Sequence, residues 1–541
     1  MKSNYAFLND HFPALAGMGS LAEDYLYTDG NSCLIKLGLF GETMVNLMMA
    51  LDGVIPPEGE NTHANRIKTL KREGLIPAAI DDIFYALRKA RNRAVHEGYD
   101  GFDDAVILLE MAYKLGVWFM QVYGDWQYEP GGFELPKQQH HTEAVRYGKK
   151  TKAQLKQQQQ QEAAEKAQLV SQLEEKEALI TALQKDLRQG LAATPATLQQ
   201  RARQAKTAID HLNLSEAETR YLIDTQLGKV GWEADSVRLT YANGVRPEKG
   251  RNLAIAEWPT DSTVSKTGYA DYALFVSTAL VGIIEAKRSA IDIPAVIDYQ
   301  CKSYAQAVKE SDAAYVINNW DGYKAPFLFA TNGRKYLKQL ETKSGIWFRD
   351  ARNEANIPRA LQGWMSPEGM MELLATDIAA ANTALKTMPA NFLTDTNGLN
   401  LRPYQIEAIT AAETAIIQGQ EKILLSMATG TGKTRTMLGL IYRLLKTGRF
   451  KRVLFLVDRS ALGEQAQDVF REVKLEDLMT LDEIYNIKNL DDRDIDRETK
   501  IHVATVQSLV KRILYNDADT IPAVSDYDLI VVDDAVILGL N

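Results

Sequence analysis

The stretch YADYALFVSTALVGIIEAKRS, residues 269–289, decides how this chain is read. Val281–Ile284 has the apolar density of a strand entering a core. Glu285 and Lys287 then follow two residues apart, and Asp271 stands fourteen positions upstream of Glu285. Charge is costly to bury unless it is paired or holds a metal. Asp271 opens one expected strand and Glu285-Ala286-Lys287 ends the next, with FVSTALV turning between them. Such a hairpin brings the two carboxylates close enough to share one Mg2+ through oxygen ligands, with the Ala286 carbonyl as a further ligand. Lys287 would orient an attacking water or offset charge growing on a phosphate. These are the groups a metal-dependent phosphodiesterase needs. A Glu-x-Lys at a strand end also fits a plain solvated edge, so the rest of the chain has to decide.

At 541 residues the chain exceeds one core, and its length suggests about three to four domains. A hydrophobic content of 45% with 25% charged residues is ordinary for a globular, soluble protein. The two cysteines, Cys33 and Cys301, lie too far apart in sequence for a metal cluster or disulfide framework. They point to a reducing, intracellular, cytoplasmic setting. No apolar run is expected to reach the roughly 18 residues of a membrane span, and MKSNYAFLND does not read as a signal peptide. No membrane partner is therefore expected. The net charge of −9 argues against a basic DNA-coating protein but leaves room for a local basic groove.

The pattern changes along the chain. Residues 1–145 carry apolar residues at three- and four-residue steps, as in NSCLIKLGLFGETMVNLMMAL and AIDDIFYALRKARNRAVHEG, and predict a helical N-terminal domain. Residues 146–190 predict a linker helix or short coiled coil, with Leu169, Leu173, Ile180, Leu183 and Leu187 on one stripe. Residues 191–385 mix helix and strand. EAETRYLIDTQLGKVGW and AVIDYQCKSYAQAVKE read as helices, whereas AAYVINN and PFLFATNGRKYL read as strands, the latter turning at Asn332-Gly333. From 386 to 541 the apolar runs KILLSMA, RVLFLVD, IHVAT and DLIVVD alternate with helical segments, the mark of a parallel sheet wrapped by helices.

SMATGTGKTRTM, residues 426–437, follows one of those runs and opens a helix. Gly430 and Gly432 would let backbone N–H groups approach phosphate oxygens at a helix N-terminus. Lys433 would reach the β- and γ-phosphates of ATP, and the Thr434 hydroxyl would ligate Mg2+. The first glycine of the general pattern is Met427 here.

The surrounding segments resemble superfamily 2 helicases and translocases in order and spacing. LRPYQIEAI (401–409) is similar to the upstream glutamine motif, in which Gln405 would read adenine. VLFLVDRSALGEQA (453–466) and VATVQSL (503–509) resemble the loops that meet the nucleic-acid backbone, and YDLIVVDDAV (527–536) stands where the Asp-Glu-Ala-His box belongs. The resemblance implies an ATP-contacting set of Arg402, Gln405, Thr429, Gly430, Thr431, Gly432, Lys433, Thr434, Asp533 and Asp534. Within it, Thr434 and Asp533 would organise Mg2+. The family's catalytic glutamate is Asp534 here and its histidine is Val536. Retracting that carboxylate by about 1 Å can cost on the order of a hundredfold in rate. With no second lobe before ILGLN, the chain is expected to be the N-terminal fragment of a longer motor that binds ATP weakly and hydrolyses it poorly by itself.

The opening stretch, D-x13-E-x-K, resembles the PD-(D/E)xK nuclease superfamily. Glu216 and Glu218 lie on a helix before it, and either is a candidate to complete the acidic site. Gln300 and Tyr304 follow as Q-x3-Y, a spacing that shares one helical face. A nuclease core with Q-x3-Y before a superfamily 2 lobe resembles the restriction subunit (HsdR) of type I restriction–modification enzymes. The resemblance implies a fold of several α and α/β domains. A PD-(D/E)xK endonuclease domain would occupy 191–385 and the first RecA-like lobe 386–541.

By the same resemblance, Asp271, Glu285 and Lys287 would cleave, with Asp271 and Glu285 holding Mg2+. Gln300 and Tyr304 would support them and contact DNA. The family implies cleavage of double-stranded DNA coupled to ATP-dependent translocation, in a complex with modification (methyltransferase) and specificity subunits. The S-adenosylmethionine of that complex belongs to the methylation side. The alternatives are a standalone defence or repair helicase-nuclease and, for this chain alone, a non-catalytic assembly scaffold. RNRAVH, residues 91–96, also resembles the R-x4-H of HEPN ribonucleases; a helix that docks partner subunits and keeps an Arg91/His96 pair is the other reading.

Overall fold

The computed structural model describes residues 3–56, 62–137, 193–209, 212, 214–261, 263, 268–287, 293–333, 344–354, 356–396, 398–457, 460–475, 479–488, 498–509 and 523–533. The expected linker helix of 146–190 lies outside the described residues. The chain forms two compact units, divided between Thr225 and Gln226.

The first unit is helical, as its periodicity requires. Its helices are α1 (Pro13–Tyr25), α2 (Gly30–Asp52), α3 (His63–Arg72), α4 (Ala78–Glu97) and α5 (Phe102–Phe119), followed by a π-helical turn at Met120–Gly124. Local chemistry sets the ends. The Asp29 and Thr62 side chains accept from the backbone N–H of Ser32 and Asn65 at the starts of α2 and α3. Gly53 and Gly98 close α2 and α4 at φ of 63° and 65°, a conformation that suits glycine. Tyr5, Phe40, Phe84, Trp118 and Phe119 fill the core. Contrary to expectation, Gly30–Asp52 and Phe102–Gly124 are long and apolar enough to cross a membrane, at a mean hydropathy of 1.4 each. Both lie largely buried in this bundle, which accounts for their apolar composition. Helix α6 (Pro195–Ile209) joins the unit through Trp118 Nε1, which donates to the Ala205 carbonyl at 3.1 Å, and through the Arg201–Asp52 ion pair. Helix α7 (Glu216–Lys229) carries the chain into the second unit.

The second unit holds two sheets. The first runs in simple sequence order through β1 (Glu233–Ala234), β2 (Asn252–Pro259), β3 (Tyr269–Val276), β4 (Ala279–Ala286), β5 (Phe327–Thr331), β6 (Ile346–Asp350) and β7 (Arg359–Leu361). Strands β3 and β4 form the expected hairpin, and β4 pairs parallel with β5 after a helical crossover. That crossover is Ile293–Val296, a π-helical turn at Ile297–Cys301, then Lys302–Gln306. AAYVINN is not the expected strand. Glu310–Tyr315 forms a 3-10 turn, and Val316 alone bridges to Leu280, because this segment finds no continuous ladder beside β4, whose two edges β3 and β5 already occupy.

The second sheet is parallel, with β8 (Val453–Val457), β9 (Asn486–Lys488), β10 (Thr499–Thr505) and β11 (Leu529–Val532) in the order β11-β8-β10-β9. Helices α8 (Ile378–Thr387), α9 (Pro403–Ile417) and α10 (Lys433–Lys446) belong to the same lobe. KILLSMA is not a strand here. It joins no described ladder, and Leu424 is 66% exposed. An apolar run signals a strand only where an edge is available to pair with it.

Candidate functional site

The register of the β3–β4 hairpin builds the first site. Near the turn, Phe275 pairs with Leu280; deeper in, Leu274 pairs with Gly282 and Tyr272 with Ile284, so β4 carries one extra residue, a bulge at Val281. Propagated unbroken from the turn, the register would set Asp271 against Ile284. With the bulge, the next pair beyond Tyr272–Ile284 sets Asp271 against Glu285. Adjacent carboxylates on one face of a hairpin repel unless something positive joins them.

Both acids are buried, Asp271 at 5% and Glu285 at 4% exposure. Asp271 Oδ2 accepts from the Ala286 N–H at 2.8 Å. Lys287 Nζ donates to Glu285 Oε1 at 2.5 Å, while the Lys287 N–H is fixed to the Thr331 carbonyl of β5 at 2.8 Å. Glu285 Oε2 is buried, and no donor among the described residues reaches it. Burial first, then the facing Asp271, push the Glu285 carboxyl up to about 7, against the pull of Lys287.

These residues fit a hard divalent cation. Two carboxylates supply oxygens, one of them orphaned, and the charge pressure on Glu285 is what a cation relieves. Among the described residues no third acid, His or Cys joins them, so backbone carbonyl and water oxygens would have to complete the set. Glu218 does not serve. It is fully buried, and its carboxylate is held by Lys114 and the Ser215 N–H in the first unit. Glu216 is spent on a 3.4 Å ion pair with Arg220.

Gln300 and Tyr304 part company. Gln300 lies on the π-helical turn, half-buried, whereas Tyr304 is 2% exposed inside the sheet's core. The wider π turn changes the phase that the four-residue spacing assumed. Tyr304 therefore supports the fold and is not placed to touch DNA, contrary to expectation. Asp298, beside Gln300, is tied to Arg349 of β6 at 2.6 Å, which anchors this turn to the sheet.

The second site is the loop before α10. Gly430 and Gly432 take φ of 80° and 82°, and a Cβ on Gly432 would come within 2.7 Å of Gln405 Nε2. Thr431 Oγ1 donates to the Ala428 carbonyl at 2.6 Å, and Tyr404 OH to the Thr431 carbonyl at 2.9 Å. Thr434 Oγ1 lies 3.5 Å from Asp533 Oδ2, so the expected pair of Mg2+ ligands is brought together from 99 residues apart. Lys433 begins α10, and Thr429 belongs to the turn before it.

Gln405 is committed differently from the expectation. Its Oε1 accepts from the Arg402 N–H at 2.8 Å, and its Nε2 donates to the Gly432 carbonyl and to Thr436 Oγ1. In this arrangement its amide clasps the loop instead of facing outward to a base. Asp534 and Val536 lie outside the described residues.

A mixed sheet with paired carboxylates and an ammonium at one strand end, followed by a phosphate-loop lobe on a parallel sheet, has the order that the sequence resemblance leads one to expect. Known families match in the same order. Residues 21–144 match a domain of unknown function (DUF4145), 233–374 the second domain of the type I restriction enzyme EcoKI endonuclease subunit, and 398–535 the res subunit of type III restriction enzymes. Over 99% of its length the chain is 38% identical to the type I restriction enzyme EcoKI endonuclease subunit of Escherichia coli (strain K12), and it covers 49% of that protein. The EcoAI endonuclease subunit of Escherichia coli is 31% identical over 39% of this chain and 24% of its own length. A solved fragment assigned as an HsdR subunit of Vibrio vulnificus YJ016 is 20% identical, covers 60% of this chain and 52% of its own, and superimposes at a TM-score of only 0.19. The chain is similar to a type I restriction endonuclease subunit over nearly all of its own length, and it spans about half the length of that EcoKI subunit.

Proposed function

We propose that this chain carries the nuclease domain (191–385) and the first RecA-like lobe (386–541) of a type I restriction subunit. Its activity is Mg2+-dependent cleavage of double-stranded DNA, coupled to ATP-dependent translocation, in a complex with modification and specificity subunits. The observation that carries the reading is the buried Asp271–Glu285 pair, with Lys287 on one Glu285 oxygen and no donor among the described residues on the other. Asp271 and Glu285 would hold Mg2+, which when bound lowers the pKa of water and screens the scissile phosphate. Asp271 is kept in place by the Ala286 N–H, and Lys287 by its own N–H on β5. The Lys287 ammonium is then positioned to leave Glu285 and offset charge on the phosphate. Gln300, on the π-helical turn, would orient the duplex, while Tyr304 packs in the core.

In the lobe, Thr429–Gly432 would wrap phosphates, Lys433 would balance their charge, and Thr434 with Asp533 would hold the nucleotide's Mg2+. Gln405 and Arg402 brace that loop. The test uses the full-length subunit with its partners. Asp271→Ala and Lys287→Ala should leave ATP-driven translocation intact and abolish cutting of supercoiled DNA. Normal cutting by either variant would remove the site assignment.

A further inference from the structure

We propose that Tyr404 is a positioning residue of the nucleotide site: its hydroxyl sets the peptide between Thr431 and Gly432 so that the Gly432 N–H faces a phosphate oxygen. The inference rests on the nucleotide reading of the loop before α10. Tyr404 OH donates to the Thr431 carbonyl at 2.9 Å, and no other donor among the described residues takes that carbonyl. The Thr436 N–H, which begins the helical ladder of α10, goes to the Gly432 carbonyl instead, at 3.0 Å. Thr431 stands between Gly430 and Gly432, at φ of 80° and 82°. Glycine sets few steric limits on the chain, so this peptide can rotate unless a bond holds it.

In a trans peptide the carbonyl and the N–H that follows it point in opposite directions. Holding the Thr431 carbonyl on Tyr404 of α9 therefore turns the Gly432 N–H away from α9. That N–H meets no acceptor among the described residues. Gln405 acts in the same way on the next peptide: its Nε2 donates to the Gly432 carbonyl at 3.2 Å, and the Lys433 N–H that follows opens α10. Two successive residues of α9 thus hold two successive carbonyls, and the intervening N–H groups are left at a helix N-terminus, where an anion is favoured. A flip of the 431–432 peptide would set a carbonyl oxygen against the phosphate in place of a donor. Tyr404 is itself well anchored. Pro403 precedes it in the first turn of α9, and the Arg402 N–H, bonded to Gln405 Oε1 at 2.8 Å, closes that turn. The Tyr404 ring is 40% exposed and lies outside the lobe's apolar core, so the hydroxyl is the part of the residue that the loop uses.

The experiment uses the full chain with Mg2+ in excess and calorimetry against a slowly hydrolysed ATP analogue and inorganic tripolyphosphate. Titrations are run where circular dichroism shows each variant fully folded. Tyr404→Phe removes only the hydroxyl and should weaken both ligands by the same factor, about three- to tenfold, as the loss of one hydrogen bond does. Tyr404→Leu removes the ring as well and should lose no more. Without ligand both variants should melt as wild type does, which separates positioning of the loop from support of the fold. A ring that stacks on the base would give another pattern, with Tyr404→Phe like wild type and Tyr404→Leu weakened for the analogue alone. That pattern, or unchanged affinity of Tyr404→Phe for either ligand, overturns the proposal. Lys433→Ala checks the site itself. If it binds tripolyphosphate as tightly as wild type, the nucleotide reading of the loop fails and this inference with it. A loss in Lys433→Ala without one in Tyr404→Phe overturns the role of Tyr404 alone.

Discussion

Replacing Glu285 by Gln should stabilise the sheet at alkaline pH and leave it nearly unchanged in acid. The direction of one proton equilibrium decides this. In the folded chain, burial and Asp271 raise the Glu285 carboxyl from 4.5 to about 7. A group whose folded value is raised binds its proton more tightly when folded, so its contribution is present in full below the unfolded value and is lost as pH rises. For this carboxyl the loss runs between pH 4.5 and about 7, opposite in sign to that of an ordinary salt-bridged acid. At about 1.4 kcal/mol per pH unit, the shift amounts to about 3 kcal/mol. Glu285 is 4% exposed, so solvent screening does little to reduce it. Glutamine imitates the protonated form, keeping an oxygen for Lys287 without the charge.

Thermal unfolding of wild type and Glu285→Gln, in EDTA from pH 5 to 8.5, measures the difference. About 3 kcal/mol in a domain of this size corresponds to a gap on the order of 6–12 °C in Tm. That gap should open between pH 5 and 7.5 and then level off. A constant difference across the range, or one that narrows with pH, would refute the claim that the two carboxylates press on each other. Mg2+ at pH 8 should raise the Tm of wild type in a concentration-dependent way and leave the variant unmoved, since a cation that binds only the folded site stabilises by mass action.

Asp271→Asn keeps an acceptor for the Ala286 N–H but removes the charge facing Glu285, so the pH-dependent loss of stability should shrink, as read by the same melts. Gly432→Ala places a side chain at φ 82° and 2.7 Å from Gln405 Nε2. Calorimetry with Mg2+ and a slowly hydrolysed ATP analogue should therefore show more than a tenfold loss of affinity (on the scale of about 1.4 kcal/mol per decade), whereas Gly430→Ala, which meets open space, should lose less. Arg443 of α10 is buried, pairs with Glu413 at 2.5 Å and donates to the carbonyls of Leu385, Met388 and Pro389. Urea titration of Arg443→Met should show a loss of about 3–5 kcal/mol, and the double variant Glu413→Gln/Arg443→Met should recover part of it.

Much of this chain was legible because its signals are local. Three- and four-residue apolar steps gave the N-terminal helices, because helix periodicity is written in neighbouring residues. The charges ending β4, and the glycines before α10, announced chemistry because a carboxylate buried in an apolar strand is costly and a positive φ is strained for any residue but glycine. The departures all involve partners distant in sequence. KILLSMA has a strand's composition but finds no edge, and AAYVINN meets a β4 whose edges are taken. Glu218 read as a spare acid until Lys114, 104 residues away, claimed it. Arg91 pointed by spacing to His96, while the packing of α4 on α2 gave it Glu42, 49 residues away.

The amino-acid order alone therefore fixed which groups are present and which elements carry them: two acids and a lysine on a hairpin, and a phosphate loop ahead of a helix. Only the folded chain decided which of them meet. A single extra residue at Val281 sets Asp271 opposite Glu285, and a π turn sends Tyr304 into the core while leaving Gln300 half-buried. The physical reason is that periodicity acts over a few residues, whereas register and burial are settled by packing against strands and helices far away in sequence.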